Sequence, residues 1–167
     1  MATDELRMRV ARPIDLPEIL EILADVSEWE VEEGLPHPWP NPFPASRLLP
    51  SIDREELYLA DLRGGVGAGT VTLQWSDAPF WGERPPDAGY VHRLAVRRRH
   101  AGRGVGRRIL EWAASETQAR GRAYVRLDCL EDAPRLHRYY EAAGFSPRGT
   151  VTVGGLRCAL FERSLTR

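Results

Sequence analysis

The alternation of apolar and polar residues predicts the first two elements of the chain. Met8 and Val10 alternate with polar neighbours across residues 6–12, which indicates a β-strand. Asp15 and Glu18 then have the spacing of a capping box, the signature of a helix start. The residues that follow carry an apolar stripe at helical spacing, at Leu16, Ile19, Leu20 and Leu23. A strand followed by a helix is therefore expected.

The rest of the pattern predicts a mixed α/β chain. Further strands are expected at residues 57–62, 67–75, 89–96, 123–129, 145–153 and 156–163. Further helices are expected at residues 45–53, 104–120 and 133–143. The order is β-α-α-β-β-β-α-β-α-β-β, an α/β (α+β) fold with a mixed sheet of about seven strands and about four helices. We expect a single domain over residues 1–167.

Two connections are long or rich in proline. Residues 35–44 hold five prolines together with Trp39 and Phe43, so this segment forms neither a helix nor a central strand. Its aromatic side chains either line a pocket or attach the loop to the core. Residues 76–88 make a connection longer than a tight hairpin needs, and loops of this length are often functional.

Composition and charge exclude several classes of protein. The chain has 167 residues, 43% of them hydrophobic and 28% charged, with a net charge of −1, which argues against an electrostatic nucleic-acid binder. No apolar run approaches the ~20 residues of a membrane span. The polar, acidic beginning is unlike a signal peptide, so we expect a cytoplasmic protein with no membrane partner. Cys129 and Cys158 lack the spacing of metal ligands, so buried free thiols and no metal site are expected.

The charges are unevenly distributed along the chain. Residues 1–56 hold thirteen of the 24 acidic residues but only five of the 23 basic ones, all of which are arginines. The first part of the chain therefore suits a cation and the remainder an anion, unless the acidic helices are simply solvated faces.

A glycine-rich segment lies between the strand at residues 89–96 and the following helix. Gly102, Gly104 and Gly106 allow conformations that other residues resist, and the first helical turn offers N–H groups and a partial positive charge to an anion. Arginines, whose guanidinium groups suit phosphate oxygens, surround this segment. The spacing does not match a dinucleotide fingerprint, and a P-loop is excluded because the chain has no lysine. A pyrophosphate site or a turn without ligand both remain open.

Two motifs resemble those of the GCN5-related N-acetyltransferases (GNAT). The run Ala101-Gly102-Arg103-Gly104-Val105-Gly106 is similar to the family's Q/R-x-x-G-x-G/A loop, with Ala101 in place of Gln or Arg. The run Leu136-His137-Arg138-Tyr139-Tyr140-Glu141-Ala142-Ala143-Gly144-Phe145 resembles the L-Y-E-K-x-G-F segment, with Tyr140 as its tyrosine. The family's usual Asn, seven residues before this tyrosine, is replaced by Ala133. The resemblance in element order extends over essentially the whole chain.

The resemblance implies a fold, a cosubstrate and a reaction. A GNAT enzyme transfers the acetyl group of acetyl-CoA to a primary amine, by direct attack through a tetrahedral intermediate. By position, Tyr140 is the acid that protonates the departing thiolate, and the main-chain N–H groups of residues 94–96 stabilise the carbonyl oxygen. The residues implied in cofactor binding are Leu94, Ala95, Val96, Ala101, Gly102, Arg103, Gly104, Val105, Gly106 and Arg107.

The general base and the acceptor site are less specified. His92, on the strand before the loop, has a suitable ordinary pKa, and glutamates of the acidic segment are alternatives. The candidate acceptor-binding residues are Glu28, Trp29, Glu33, Trp39 and Trp75. We expect a small, cationic amine such as an amino-sugar, a polyamine or an amino-acid derivative. A protein N-terminus or lysine as acceptor, a catalytically silent acyl-CoA sensor, and a homodimer remain alternatives.

Overall fold

The computed structural model describes residues 5–65 and 67–165, and residues 1–4, 66 and 166–167 of the expected domain lie outside it. The described strands are β1 (Leu6–Val10), β2 (Leu57–Leu62), β3 (Gly67–Gln74), β4 (Ala88–Val96), β5 (Tyr124–Leu130), β6 (Ser146–Val153) and β7 (Leu156–Ser164). The described helices are α1 (Leu16–Glu32), α2 (Leu49–Asp53), α3 (Ala78–Trp81), α4 (Val105–Ala119) and α5 (Pro134–Ala142). This order confirms the predicted one, except that α3 was not expected.

The described strands form one mixed sheet of seven, in the order β1-β2-β3-β4-β5-β7-β6. Neighbours whose register is described are antiparallel, except β4 and β5, which are parallel over Ala88–Val91 and Tyr124–Leu127. The parallel register ends just before Arg93, whose φ of 50° is outside the extended range. None of the described helices has the length and apolar character that a bilayer crossing requires.

The chain divides into two compact units. The first comprises residues 1–72 and 93–109, and its core is formed by one face of α1 with residues of β2 and the segment before it. Its most deeply buried members are Ile19, Ile22, Leu23, Leu48, Leu57 and Leu59. The second unit comprises residues 73–92 and 110–167. One of its clusters contains Trp81, Ala88, Tyr90 and Leu160.

The capping box predicted at the start of α1 was wrong. The Asp15 carboxylate does not cap the helix but accepts hydrogen bonds from the Arg9 guanidinium, at 2.9 and 3.1 Å, and from the Arg12 amide, at 2.7 Å. Glu18 instead accepts a hydrogen bond from the Gly67 amide at 2.7 Å. A bidentate arginine outcompetes a local cap because hydrogen bonds between charged groups are stronger.

Candidate active site

Contacts with α1 fix the turn that follows β4. The Arg97 guanidinium donates to the Gly67 carbonyl at 2.8 Å and lies 3.5 Å from Glu21, and the Arg98 amide donates to the Asp25 carboxylate at 2.7 Å. The Arg98 guanidinium also stacks 3.9 Å from the centre of the Trp29 ring. Arg97 and Arg98 are therefore engaged inside the first unit, where they hold the turn in place.

The glycines after this turn are required by the backbone conformation. Gly102 and Gly104 have φ values of +72° and +77°, in the region that favours glycine, and an added Cβ at either would meet no atom within 4 Å. The space beside them is therefore open. Arg108 donates the helical hydrogen bond to Gly104, and the amides ahead of it belong to the first turn of α4, where N–H groups lack intrahelical acceptors.

The other residues that the resemblance assigns to cofactor binding have varied exposure. Arg103 and Arg107 are exposed, and Val105 is buried in the first turn of α4. Ala95 is 2% exposed, while Leu94 and Val96 beside it are partly buried at the end of β4. The open glycines, the exposed arginines and the helix start together fit an anionic ligand such as a diphosphate.

The second unit brings His92 between two carboxyl groups. His92 Nε2 lies 2.8 Å from Asp77 Oδ2, and His92 Nδ1 lies 3.6 Å from Asp128 Oδ1. The Phe80 ring packs against the imidazole, with ring centres 5.7 Å apart. Asp77 is 7% exposed and precedes α3 without capping it, so its carboxylate is available to His92.

The tautomer of His92 follows from this arrangement. An ionised Asp77 can only accept a hydrogen bond, so the neutral imidazole places its proton on Nε2 and its lone pair on Nδ1. Nδ1 then faces Asp128. In a catalytic histidine, a carboxylate that accepts from one ring nitrogen orients the imidazole, and the other ring nitrogen acts as the base.

Asp128 is an unusual carboxyl group. Its Oδ1 is buried and has no hydrogen-bond partner among the described residues. Burial, together with the charge of Asp77, raises the pKa of Asp128 to about 6, and His92 opposes this rise. An acceptor atom without a donor is costly in a protein interior, so Oδ1 is the natural position for an N–H group of a bound ligand.

The side chains of Asp77, His92 and Asp128 are also types that bind metal ions. Their potential ligand atoms lie within 4.8 Å of one another, a grouping that the sequence pattern did not predict. The two carboxylates also lie beside different ring nitrogens, an arrangement that suits proton transfer through the imidazole.

Tyr140 lies on α5 and is 9% exposed. Its ring packs edge-on against Tyr139 and Phe145, with ring centres 5.4 and 6.0 Å apart. Burial raises the pKa of the phenol, and the nearby Cys129, Tyr139 and Asp128 raise it further. The phenol therefore stays protonated at neutral pH, as a proton donor must.

The acceptor-site candidates make contacts within the protein. Trp39 donates its amide to Glu30 at 2.8 Å and accepts a hydrogen bond from Ser27 at 2.6 Å, and its ring packs against the core of the first unit. Glu28 lies 3.5 Å from the Asn41 amide group. The proline-rich loop is thus ordered, and Phe43, 6% exposed, attaches it to the core.

Trp75 and Glu33 are two further candidates for acceptor binding. Trp75 is stacked by the guanidinium groups of Arg120 and Arg122, at 4.0 and 5.1 Å. Glu33 follows the last residue of α1 and is exposed. Acceptor binding by Glu28, Trp29, Glu33, Trp39 and Trp75 stays a prediction.

Sequence reasoning missed Asp77, Asp128 and Arg93. The signal for Asp128 was available, because Arg126 and Asp128 are charged residues within an apolar strand, where such residues are rarely buried without a partner. Asp77 carried no signal, since only the fold brings it to His92. The two cysteines are buried free thiols, as expected. Burial raises the pKa of Cys129 to about 12.

A mixed seven-stranded sheet with a glycine-containing turn before α4 is the arrangement of an acetyltransferase fold. The model of the acetyltransferase (GNAT) family matches residues 19–145. The chain belongs to the GNAT family, as its motifs implied.

Similar proteins support this assignment. An uncharacterized N-acetyltransferase from Bacillus subtilis (strain 168), YesJ, is 37% identical over 94 residues, which are 56% of this chain and 50% of that protein. The chain thus matches about half the length of this curated relative. A GNAT-family acetyltransferase from Listeria monocytogenes has a TM-score of 0.81 at 24% identity, covering 98% of this chain and 96% of that one.

The aminoglycoside acetyltransferase AAC(6')-Ib, solved with coenzyme A and kanamycin, has a TM-score of 0.76 at 22% identity. The match covers 96% of this chain and 95% of that chain. At these identities the two solved structures show the common fold alone.

Proposed function

We propose that this protein is an N-acetyltransferase that moves the acetyl group of acetyl-CoA to a primary amine of a small molecule. Acetyl-CoA supplies an activated acyl group as a thioester. The family assignment supports this reaction, and the structural relative that binds coenzyme A and kanamycin supports a small-molecule acceptor. The observation that carries the proposal is the His92 imidazole held between the carboxyl groups of the buried Asp77 and the partly buried Asp128.

The glycine-containing loop is the proposed diphosphate site. The main-chain N–H groups of residues 102–107 bind the diphosphate, assisted by the charge at the start of α4. The replacement of Gln or Arg by Ala101 removes a side-chain contact but no backbone donor. The exposed Arg103 and Arg107 supply positive charge near this loop.

His92 is the proposed general base. An amine reaches the enzyme mostly as an ammonium ion and must lose a proton before it can attack. Asp128 Oδ1 accepts one N–H of the ammonium group, and His92 Nδ1 takes another proton. Asp77 stabilises the imidazolium that results, because its carboxylate already accepts from Nε2.

Tyr140 is the proposed general acid. Its raised pKa keeps the proton on the phenol until the coenzyme A thiolate departs. The N–H groups of residues 94–96 are the proposed donors to the carbonyl oxygen as it gains charge.

The test is a measurement of acetyl-CoA consumption across a panel of amines that includes amino acids, amino-sugars, polyamines and lysine-containing peptides. We expect turnover with small amines. His92→Gln and Tyr140→Phe should each lower kcat by about 100-fold or more. His37→Gln and Tyr139→Phe are matched controls at more exposed positions.

The outcomes separate the alternatives. Turnover with peptides but not with small amines identifies a protein acetyltransferase. Binding of acetyl-CoA without turnover of any amine identifies a silent sensor. Wild-type rates in Tyr140→Phe at every pH would remove the acid assignment.

A further inference from the structure

A partly buried arginine in the first unit has no carboxylate partner among the residues that the structure describes. Arg93 lies in β4, with φ of 50°, a conformation in which non-glycine residues are uncommon. Its Nη2 is within 3.3 Å of the Ser51 hydroxyl and 3.5 Å of the Thr72 hydroxyl. Its Nε is buried and has no hydrogen-bond partner among the described residues. Two neutral hydroxyl groups are thus the neighbours of a permanent cation.

Neighbouring positive charges make the position of the Arg93 cation less favourable still. Burial lowers the pKa of Arg93, and the positive charges of Arg47 and Arg54 lower it further. Arg54 has a carboxylate partner, Glu56, at 2.9 Å. No carboxylate of the described residues is paired with Arg93 or Arg47. The positive charges of Arg47 and Arg54 therefore act on Arg93, and among the described residues only Arg54 of these three arginines is paired with a carboxylate.

Such an arrangement is unfavourable unless an anion completes it. A guanidinium group cannot lose its proton in a protein, so it cannot escape the cost of burial by becoming neutral. The strained backbone at Arg93 adds to this cost, and strain of this kind is concentrated at functional sites. A carboxylate suits the site because its two oxygens accept two parallel N–H groups from one guanidinium.

We propose that Arg93, with Arg47 and the hydroxyl groups of Ser51 and Thr72, binds a carboxylate group of the acetyl acceptor. The acceptor is then an amino acid or a close derivative that carries both an amine and a carboxylate. This inference rests on the proposed acetyl transfer. It selects one of the three acceptor classes that the sequence left open, because polyamines and amino-sugars carry no carboxylate.

The test compares acceptors that differ only in the carboxylate. L-alanine, L-leucine, L-phenylalanine and L-glutamate are each assayed beside the corresponding α-carboxamide, with spermidine as an amine without a carboxylate. For the best acid, we expect kcat/KM to exceed that of its amide by at least about tenfold. Arg93→Met should abolish this preference, mainly by raising KM, and Arg93→Lys should retain part of it. Arg63→Met removes an exposed arginine from the β2–β3 turn and should leave the preference unchanged.

A separate measurement distinguishes an acceptor carboxylate from a phosphate of the cosubstrate. Calorimetric titration with coenzyme A should give the same Kd for the parent and for Arg93→Met. A tenfold weaker Kd in the variant, with the acid–amide preference intact, would assign Arg93 to the cosubstrate and overturn the proposal. Equal kcat/KM for acids and amides in the parent protein would overturn it without reference to any variant.

Failure of the proposed function has a different signature. If no amine supports turnover, calorimetric titration of the parent with the same acids and amides still decides whether the site binds a carboxylate. Binding of an acid but not its amide, lost in Arg93→Met, supports the site; equal or absent binding of both refutes it. Urea unfolding excludes a purely structural role if Arg93→Met is at least as stable as the parent without ligand.

Discussion

At the scale of single residues, Asp128 gives the protein a specific pH dependence. Its pKa in the folded protein is about 6, above its usual range, because burial disfavours the charged form. Its stabilising effect is therefore complete below the pKa of the unfolded chain, near 4, and is lost as the pH rises through about 6. Asp128→Asn removes this titration.

We expect Asp128→Asn to gain stability relative to the parent as the pH rises from 4 to 7. The gain in the free energy of unfolding should be about 3 kcal/mol, the equivalent of a shift of about two pH units. Urea unfolding at several pH values measures it. Asp53→Asn, at an exposed position in α2, controls for the loss of one charge. A difference between variant and parent that stays constant with pH would contradict the assignment.

Gly102 allows a second prediction at this scale. Gly102 and Gly121 have φ values of +72° and +71°, and a Cβ at either would meet no atom within 4 Å. Replacing either glycine with alanine should therefore lower the free energy of unfolding by the same amount, about 1–2 kcal/mol, through backbone strain alone. Only Gly102→Ala should also weaken coenzyme A binding, because Gly102 belongs to the proposed diphosphate loop. Calorimetric titration and urea unfolding of both variants test this, and equal affinities would count against the loop.

The residue scale also shows what the sequence could not supply. Glycine spacing predicted the turn before α4, because positions with positive φ values are usually occupied by glycine. No sequence pattern indicated that Arg93 has hydroxyl groups and not a described carboxylate beside it. The neighbours of Arg93 belong to α2 and β3, and the alternation of residues along β4 does not predict them.

At the scale of elements, Arg126 joins three adjacent strands. Tyr90 of β4, Arg126 of β5 and Glu162 of β7 are register partners. Arg126 is 2% exposed and donates to Glu162 at 2.8 Å, to Tyr90 at 3.0 Å and to Asp87 at 2.9 Å. The pairing of charges across the sheet, with Nε and Nη1 directed at acceptors, makes burial of this guanidinium tolerable.

We expect Arg126→Met to lower the free energy of unfolding by about 3 kcal/mol, because it leaves Glu162 and the Tyr90 hydroxyl without their buried donor. Arg148 offers a matched control, since it contacts the same Glu162 carboxylate at 3.1 Å but its side chain is 52% exposed. Arg148→Met should cost under about 1 kcal/mol. Urea unfolding of the two variants measures both losses of free energy of unfolding. Equal losses would show that burial of the arginine does not determine how much its ion pair stabilises the protein.

Elements were predictable to the extent that their patterns were long. Alternation and helical spacing placed seven strands and four helices within a few residues of their observed bounds. Helix α3 was missed because its four residues are too few to show a helical period. Asp77 was missed with it, since the start of this short helix places the carboxylate beside His92.

At the scale of the whole molecule, the uneven distribution of charge has a partly structural explanation. The acidic residues of α1 that the sequence associated with a cationic ligand include partners of the chain itself. Glu18 and Glu21 lie near Arg97, and Asp25 accepts the Arg98 amide. Glu30 accepts the Trp39 amide, and burial raises its pKa. The surplus of acid in residues 1–56 is therefore a weaker indication of a cationic acceptor than composition alone suggested.

The stability of the whole protein should report binding of the cosubstrate. If coenzyme A binds the folded chain and not the unfolded one, the free energy of unfolding rises by about 2.7 kcal/mol at a free concentration 100 times Kd. Each further tenfold increase adds about 1.4 kcal/mol. Urea unfolding over a series of coenzyme A concentrations measures this slope. Pantetheine, which has the same arm without the diphosphate, should stabilise far less, since the loop amides and the start of α4 act on negative charge. Equal stabilisation by both compounds would mean that the arm alone provides the binding energy, and the diphosphate loop would lose its assigned role.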